Sequence, residues 1–402
     1  MKKLIGVILL IFISFIITSC EAQVSSQSLE QAVDSLPEHQ SLDQTKTLPL
    51  DISLDDMDEK GKVVVFSTSS ITEESLFYSH IQSIYPDRVI LCIAPSPWYW
   101  KYQNNAELWV EDTWSLIERT ISNELVKAFI IKSFHWSDYI EIISKVREYH
   151  PDILLIDMVG SIDSHLYSDL VIPFSDLVFG RAIKQAKLMG LETFVFYVYW
   201  EEMMSLAEII RTECEKHGIA FIMDTQFSIA TANPDNILSD IGEKIRQYGN
   251  NTMFISNASP VGFSRVPLEN GAVTIFLPYP EMINVIRDHT FFLNLDDKTI
   301  EANIFNYNWQ QERIKEIVAM HNAVGRLAVW RIPFEHVALT AAIEYAISYL
   351  DGEIESTMDF DALYESFIRA FELLDSPNTG FELLRDEEFD NIFHFLQEFL
   401  VF

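Results

Sequence analysis

Short apolar runs alternate with longer segments of helical period along most of the chain. The runs are apolar throughout and do not alternate with polar residues, which is typical of strands covered on both faces in a parallel sheet. The longer segments repeat their apolar residues with the spacing of amphipathic helices. The pattern predicts an α/β protein built of βαβ units with right-handed crossovers.

Two series of these units follow one another. In the first, the predicted strands are 63–66, 88–93, 126–131, 153–156 and 171–172, and the predicted helices are 72–85, 106–123, 137–149 and 178–189. In the second, strands 193–199, 219–223, 252–255 and 273–277 alternate with helices 203–217, 234–248 and 281–288. A strand over 326–331 and helices over 336–350 and 360–374 follow. We therefore predict two Rossmann-like lobes, at residues 62–190 and 191–325, joined by a hinge, with residues 326–402 forming the hinge return and C-terminal helices.

The first 19 residues break this pattern. Lys2 and Lys3 precede an apolar stretch, residues 4–17, that is shorter than the ~20 residues needed to span a bilayer. Such a stretch is typical of an export signal that is removed. The sequence Ile17-Thr18-Ser19-Cys20 resembles the lipobox of bacterial lipoproteins. The resemblance implies that Cys20 is lipidated and anchors the chain in a membrane of the cell envelope, facing the periplasm or the exterior. The alternative is an ordinary secretory signal that precedes a cysteine by chance.

The segment after Cys20 differs from both neighbours. Residues 21–60 are rich in Ser, Gln, Asp and Glu and have no sustained apolar period. Such a segment cannot bury enough apolar surface to offset the entropy that is lost when a chain becomes ordered. We predict a flexible tether over residues 20–61.

Net charge disfavours two kinds of binding partner, and the cysteines and histidines disfavour a disulfide and a metal site. The formal net charge is −32, which disfavours nucleic acid and any binding to anionic lipid through a basic surface. Cys92 lies in an apolar run and Cys214 in a helical segment, so we favour two buried free thiols over a disulfide between them. No Cys-x-x-Cys motif and no His-rich cluster occurs, and we expect neither a metal nor a cofactor.

Several segments resemble a family of bacterial lipoproteins of unknown function with the type 1 periplasmic-binding-protein fold. They are residues 63–70, 149–156, 168–171, 179–182, 186–195, 213–219, 325–330 and 344–346. The resemblance covers most of residues 62–350 and implies two Rossmann-like lobes with a small-molecule cleft between them. It departs in the second lobe, where Tyr199-Trp200-Glu201-Glu202 stands in place of the family's basic pair.

Candidate ligand-binding residues follow from the fold, because ligands of open parallel sheets bind beyond the carboxyl ends of the strands. The residues selected are Ser67, Thr68, Ser69, Trp98, Trp100, Lys132, Phe134, Asp157, Tyr199, Trp200, Glu201, Asn257, Tyr279 and Trp330. Aromatic rings together with hydroxyls and charges suit sugars, nucleosides and other ring systems. Structural alternatives remain, since the hydroxyls can cap the following helix and the tryptophans can cover the core of their own lobe.

The leading functional hypothesis is a substrate-binding lipoprotein that captures an unknown small molecule for an ABC-type transporter, with its permease as partner. The alternative is a structural or interaction lipoprotein that kept the fold without transport. We expect no catalytic residues, because the chain has no Gly-x-Ser-x-Gly elbow, Walker loop or Gly-x-Gly-x-x-Gly fingerprint.

The anchor is testable by one substitution. Cys20→Ala should release the protein from membranes or stall its processing, because the lipid would have lost its attachment site. Partitioning between detergent and aqueous phases measures this. A processed variant that still fractionates wholly with detergent would contradict the lipoprotein interpretation.

Overall fold

A five-stranded parallel sheet organises the first half of the computed structural model. The structure describes residues 61–68, 72–94, 106–132, 138–158, 162–175, 177–198, 204–225, 234–256, 264–275, 285–287 and 289–402. Within these ranges the sheet has the order β2-β1-β3-β4-β5, and every neighbouring pair is parallel. Its strands are β1 (Lys62–Thr68), β2 (Val89–Ala94), β3 (Val126–Lys132), β4 (Leu154–Asp157) and β5 (Leu170–Val171).

Helices cover both faces of this first sheet, as its uninterrupted apolar runs require. They are α1 (Thr72–Ile84), α2 (Ala106–Ile121), α3 (Asp138–Tyr149) and α4 (Leu177–Leu188). Successive residues of β1 enter different cores, because side chains alternate between the faces of a strand. Val63 and Val65 pack in the core that includes α1 and α4, whereas Val64 and Phe66 pack in the core beneath α2 and α3.

The second half repeats the same strand order in two pieces. The second sheet, β7-β6-β8, is parallel and consists of β6 (Thr193–Tyr197), β7 (Ala220–Asp224) and β8 (Thr252–Ser256). Beside β8 lies β9 (Thr274–Ile275), which pairs in parallel with β10 (Leu327–Trp330). The helices of this half are α5 (Met204–Lys216), α6 (Pro234–Tyr248), α7 (Arg265–Glu269), α8 (Thr290–Leu293), α9 (Asp297–Ala302) and α10 (Tyr307–Met320).

The rest of the chain returns to the first sheet and then leaves it again. Helix α11 (Phe334–Leu350) packs on β1 and β3, and its buried residues lie all around its circumference. It is followed by α12 (Phe360–Leu373), the antiparallel hairpin of β11 (Phe381–Arg385) and β12 (Phe393–Gln397), and finally β13 (Phe399–Val401). Strand β13 is antiparallel to β10, so that β13-β10-β9 forms a third sheet.

The predicted α/β class with parallel sheets is confirmed, and most predicted elements lie within two residues of their observed bounds. The hydrophobic pattern does not predict α7–α10 or β11–β13. Strands β11 and β12 mix polar and apolar positions, most of β11 is exposed, and α7–α9 are too short to establish a period. The predicted helix over 281–288 lies mostly outside the described residues, although residues 285–287 are helical. The boundaries proposed for the two lobes stay a prediction.

The thiols of Cys92 and Cys214 are free and buried, as predicted. Burial raises the pKa of Cys92 to about 11 and that of Cys214 to about 12. The export signal, Cys20 and the tether lie outside the described residues, except that Gly61 is described. Within the part of the chain that is described, no helix combines the length and apolar character needed to cross a membrane.

A pair of identical truncations tests the core. Leu155 in β4 is 0% exposed between β3 and the helices α2 and α3, whereas Leu188 at the end of α4 is 76% exposed. Leu155→Ala should lower the free energy of unfolding by about 2–5 kcal/mol, because it deletes buried methyl groups and leaves a cavity. Leu188→Ala should change it by less than about 0.5 kcal/mol.

Urea unfolding followed by circular dichroism measures both variants. Equal and small losses would show that β4 is not covered on this face.

Candidate functional site

The carboxyl edge of the first sheet brings three of the predicted residues together. Ser67 lies one residue before the end of β1, and Lys132 and Asp157 end β3 and β4. Ser67 is the register partner of Lys132, and Asp157 is the partner of Ile131 on the same strand. All three side chains are buried. The sheet therefore holds a hydroxyl, an ammonium and a carboxylate on neighbouring strands at one edge.

Tyr78 of α1 connects two of these groups. Its hydroxyl donates a hydrogen bond of 2.5 Å to Ser67 Oγ and accepts one of 3.2 Å from Lys132 Nζ. Lys132 Nζ also lies 5.3 Å from the centre of the Tyr78 ring, within cation–π range. The tyrosine thus fixes the position of the ammonium from the helix side.

Glu335 supplies the opposite charge. Its Oε2 lies 2.6 Å from Lys132 Nζ, and the two side chains are only 16% and 5% exposed. Glu335 occupies the first turn of α11, where the helix dipole favours a carboxylate. Removing one partner of a buried pair leaves an uncompensated charge, which costs several kcal/mol. The ion pair therefore holds the returning helix to the end of β3.

The next residue of α11, His336, completes the arrangement. Its ring stacks on Phe77 with 3.8 Å between centroids, and its Nδ1 is 2.7 Å from the hydroxyl of Tyr307 in α10. Burial holds the pKa of His336 well below its usual value, and the charges of Lys132 and His80 lower that pKa further. The imidazole is therefore neutral at physiological pH. We call Ser67, Tyr78, Lys132, Glu335, His336 and Tyr307 the first edge cluster.

A second edge cluster lies at the carboxyl ends of β6 and β7. Lys244 of α6 donates to Asp224 at 2.6 Å and also bonds Asp240, one turn earlier on the same helix. The Tyr197 hydroxyl donates to Asp240 at 2.7 Å. Burial alone lowers the pKa of Lys244, but its hydrogen bonds to Asp224 and Asp240 outweigh that effect and raise the pKa. Lys244 is therefore a fixed cation between two carboxylates.

Trp330 takes a different position from the other described candidates. It ends β10, and its ring lies 6.1 Å from those of Phe395 and Phe399, centroid to centroid. It is 7% exposed, and its buried Nε1 has no hydrogen-bond partner among the described residues. A buried indole N–H usually has a partner, so this donor is available to another group.

The side chains of the remaining candidates lie outside the described part of the structure. Thr68 ends β1, but its side chain is outside the description, as are Ser69, Trp98, Trp100, Phe134, Tyr199, Trp200, Glu201, Asn257 and Tyr279. Their contact with a ligand stays a prediction. Among the described residues, no group of three or more His, Cys, Asp or Glu side chains is arranged to hold a metal ion.

Most members of the two edge clusters are not at strand ends and so could not be predicted from the sequence. The edge of the first sheet is reached from helices by Tyr78, Tyr307, Glu335 and His336, whereas ligand sites of parallel sheets are predicted from the residues that follow the strands. One signal was present in the sequence, because an acidic residue at the start of the apolar helix over 336–350 marks its first turn. Nothing in the sequence indicated which strand that turn would meet.

A family model described as “Protein of unknown function (DUF3798)” matches residues 101–328, more than half of the chain. The chain belongs to this family. The predicted resemblance to a family of unknown function is thereby confirmed. The DUF3798 match includes Lys132, Asp157 and the second edge cluster, whereas Glu335 and His336 lie beyond it. No curated protein sequence matches the chain.

Solved structures are similar to this DUF3798 chain to different degrees. One from Clostridium difficile 630, described as a transcriptional regulator, has a TM-score of 0.69 and 15% identity, and the likeness covers 85% of this chain and 99% of that one. A sugar ABC transport substrate-binding protein from Bordetella parapertussis 12822 has a TM-score of 0.46, 11% identity and coverages of 85% and 89%. A solute-binding protein from R. palustris in complex with 4-hydroxybenzoate has a TM-score of 0.44, 11% identity and coverages of 84% and 90%. At 15% identity, the likeness to the Clostridium difficile structure shows a shared fold alone.

The neutral state of His336 gives a pH dependence to stability. His336→Phe keeps a ring against Phe77 and removes the titrating group. Below pH 6.5 the unfolded wild-type chain takes up a proton at this position and the folded chain does not. Wild type should therefore lose up to about 1.4 kcal/mol per pH unit that the variant does not lose. Above pH 6.5 this contribution is fully present and the two slopes should agree.

Urea unfolding at pH 7.5 and pH 5.0 measures the difference. Wild type should lose more than the variant over this interval, by up to about 2 kcal/mol. Equal losses would show that His336 is protonated in the folded state.

Proposed function

We propose that the protein is a solute-binding protein that captures a small molecule between its first and second sheets. The observation that carries the proposal is that the first and second sheets each present a buried, charged cluster at the carboxyl edge. Parallel sheets of this architecture bind their ligands at that edge. A formal net charge of −32 speaks against a DNA-binding role in spite of the fold shared with a transcriptional regulator.

The ligand would be polar and would carry a ring. Ser67, Thr68 and Ser69 offer hydroxyl and backbone N–H donors, and Trp98, Trp100 and Trp200 offer faces for stacking. Lys132 and Asp157 add an ammonium and a carboxylate at the ends of β3 and β4. Such a set suits a sugar, a nucleoside or a hydroxylated aromatic acid.

Capture would proceed by closure around a hinge. Each half of the chain contributes contacts to the ligand. The ligand favours the closed state because only in that state do both halves contact it at the same time. Lipid on Cys20 would keep the protein beside a membrane, and an ABC-type permease would receive the solute.

The second candidate function is a structural or interaction lipoprotein that kept the fold without transport. One observation favours it. Lys132 and Glu335 neutralise each other at 2.6 Å, and Lys244 bonds both of its acidic neighbours, so each cluster is electrostatically satisfied without a ligand. Ligand screening separates the two candidates.

The test begins with thermal-shift screening of the purified protein against monosaccharides, nucleosides and hydroxylated aromatic acids. A bound ligand at 100 times its Kd should stabilise the protein by about 2.7 kcal/mol. No shift with any of these classes would favour the structural candidate.

Single substitutions then locate the site. Trp98→Ala, Trp100→Ala and Trp200→Ala should each weaken binding about tenfold to a hundredfold if the ring stacks on the ligand. Trp114→Ala is the matched control, because Trp114 of α2 packs on Tyr149 at 5.2 Å and not at a strand end. The control should leave the Kd unchanged.

Titration calorimetry measures the Kd of each variant for the ligand found in the screen. If all three variants bind normally but melt at lower temperature, these rings belong to the core and the proposed site is wrong.

A further inference from the structure

The chain passes between the first sheet and the third sheet twice within residues 331–402. The first passage, residues 331–333, leads from β10 of the third sheet to α11, which packs on β1 and β3. The second passage is Glu398, which separates β12 from β13. Both passages are short, and any rotation of one sheet relative to the other must act on them.

Each side of the second passage is fixed to a different sheet. On the first side, Asn391 Nδ2 donates to the carbonyl oxygens of His165 and Ser168, both at 2.9 Å, and Ile392 forms a bridge with Val171 of β5. On the other side, β13 pairs with β10 in the register Ala328 to Val401 and Trp330 to Phe399. The C-terminal segment therefore connects the edge of the first sheet to the third sheet.

The side chain of Gln397 joins the two passages. Its Oε1 accepts hydrogen bonds from the backbone N–H groups of Arg331 at 2.8 Å and Ile332 at 3.1 Å. Its Nε2 donates to the carbonyl oxygen of Ile332 at 3.0 Å. Gln397 and Ile332 are both 0% exposed. One amide thus satisfies three backbone groups, and the two that belong to Ile332 are buried.

This arrangement couples the passages mechanically. If either passage turned alone, buried N–H and C=O groups would lose their partners, and each loss costs about 1–3 kcal/mol. A turn in which both passages move together keeps all three hydrogen bonds. Orientations of the first and third sheets that require one passage to turn without the other are therefore disfavoured, and the hinge is restricted to concerted motion.

We propose that Gln397 is a hinge clamp, a positioning residue that excludes relative orientations of the first sheet and the sheets of the second half in which the two passages turn independently. The clamp rests on the proposed function, because hinge closure is how that function captures a ligand. Its effect is on the orientations that the ligand-free protein occupies, so it can be measured without knowing the ligand.

The experiment is a distance measurement by double electron–electron resonance. Spin labels are attached at Glu118→Cys in α2 and Glu243→Cys in α6, two exposed positions, in the full chain carrying Cys20→Ala. Cys92 and Cys214 are buried and stay unlabelled. Wild type should give one narrow distance distribution. Gln397→Met fills the same space without the hydrogen bonds, and its distribution should be roughly twice as broad because more orientations become populated.

Two controls separate clamping from stability. Gln247→Ala deletes the same amide from an exposed position on α6, and it should change neither the width nor the melting temperature. Leu155→Ala destabilises the core away from the passages, and it should lower the melting temperature while the width stays that of wild type.

The proposal is overturned if Gln397→Met lowers the melting temperature but keeps the wild-type width, or if wild type is already as broad as the variant. Should Gln397→Met not fold, Gln397→Glu keeps the acceptor for both N–H groups, and an unchanged width would then contradict a role for the Nε2 contact. If the screen finds no ligand, that result counts against the proposed function. The distance distributions are measured without a ligand, so they test the clamp independently of that result.

Discussion

The first sheet is apolar and covered by helices on both faces, so charged side chains can stand only where its strands end. Lys132 is such a case, and its burial requires a nearby opposite charge. Glu335 provides that charge from the first turn of α11, more than two hundred residues later in the chain. The ion pair thereby fixes where the returning segment meets the sheet, and it places His336 against Phe77 and Tyr307.

The parts of the fold that sequence could predict are those that bury a continuous apolar pattern. Runs such as residues 63–66 and 126–131 have few alternatives to a buried strand, and the structure confirms them. The hairpin of β11 and β12 has mixed polarity and β11 is mostly exposed, so its pattern does not distinguish a strand from a loop. At the site, Ser67, Lys132 and Asp157 could be predicted from strand ends, whereas Tyr78 and Glu335 depend on helix docking, which a local pattern does not encode.

The two edge clusters differ in what they connect. The second is mostly local, because Asp240 and Lys244 are one helical turn apart and bind the ends of two paired strands. The first joins α1, β3, α10 and α11, which are distant in sequence. A change at the second cluster would stay within its own half. A change at the first would reach α11 and, through residues 331–333, the passage that Gln397 binds.

The two buried thiols have a practical consequence. Cys92 lies in β2, where Thr120 of α2 donates to its sulfur at 3.7 Å, and Cys214 lies in α5 of the other half. Thiol reagents react with the thiolate, and both burial and a raised pKa suppress that form while each region stays closed. The alkylation rate of each thiol therefore reports how often its surroundings open, independently for each half of the molecule.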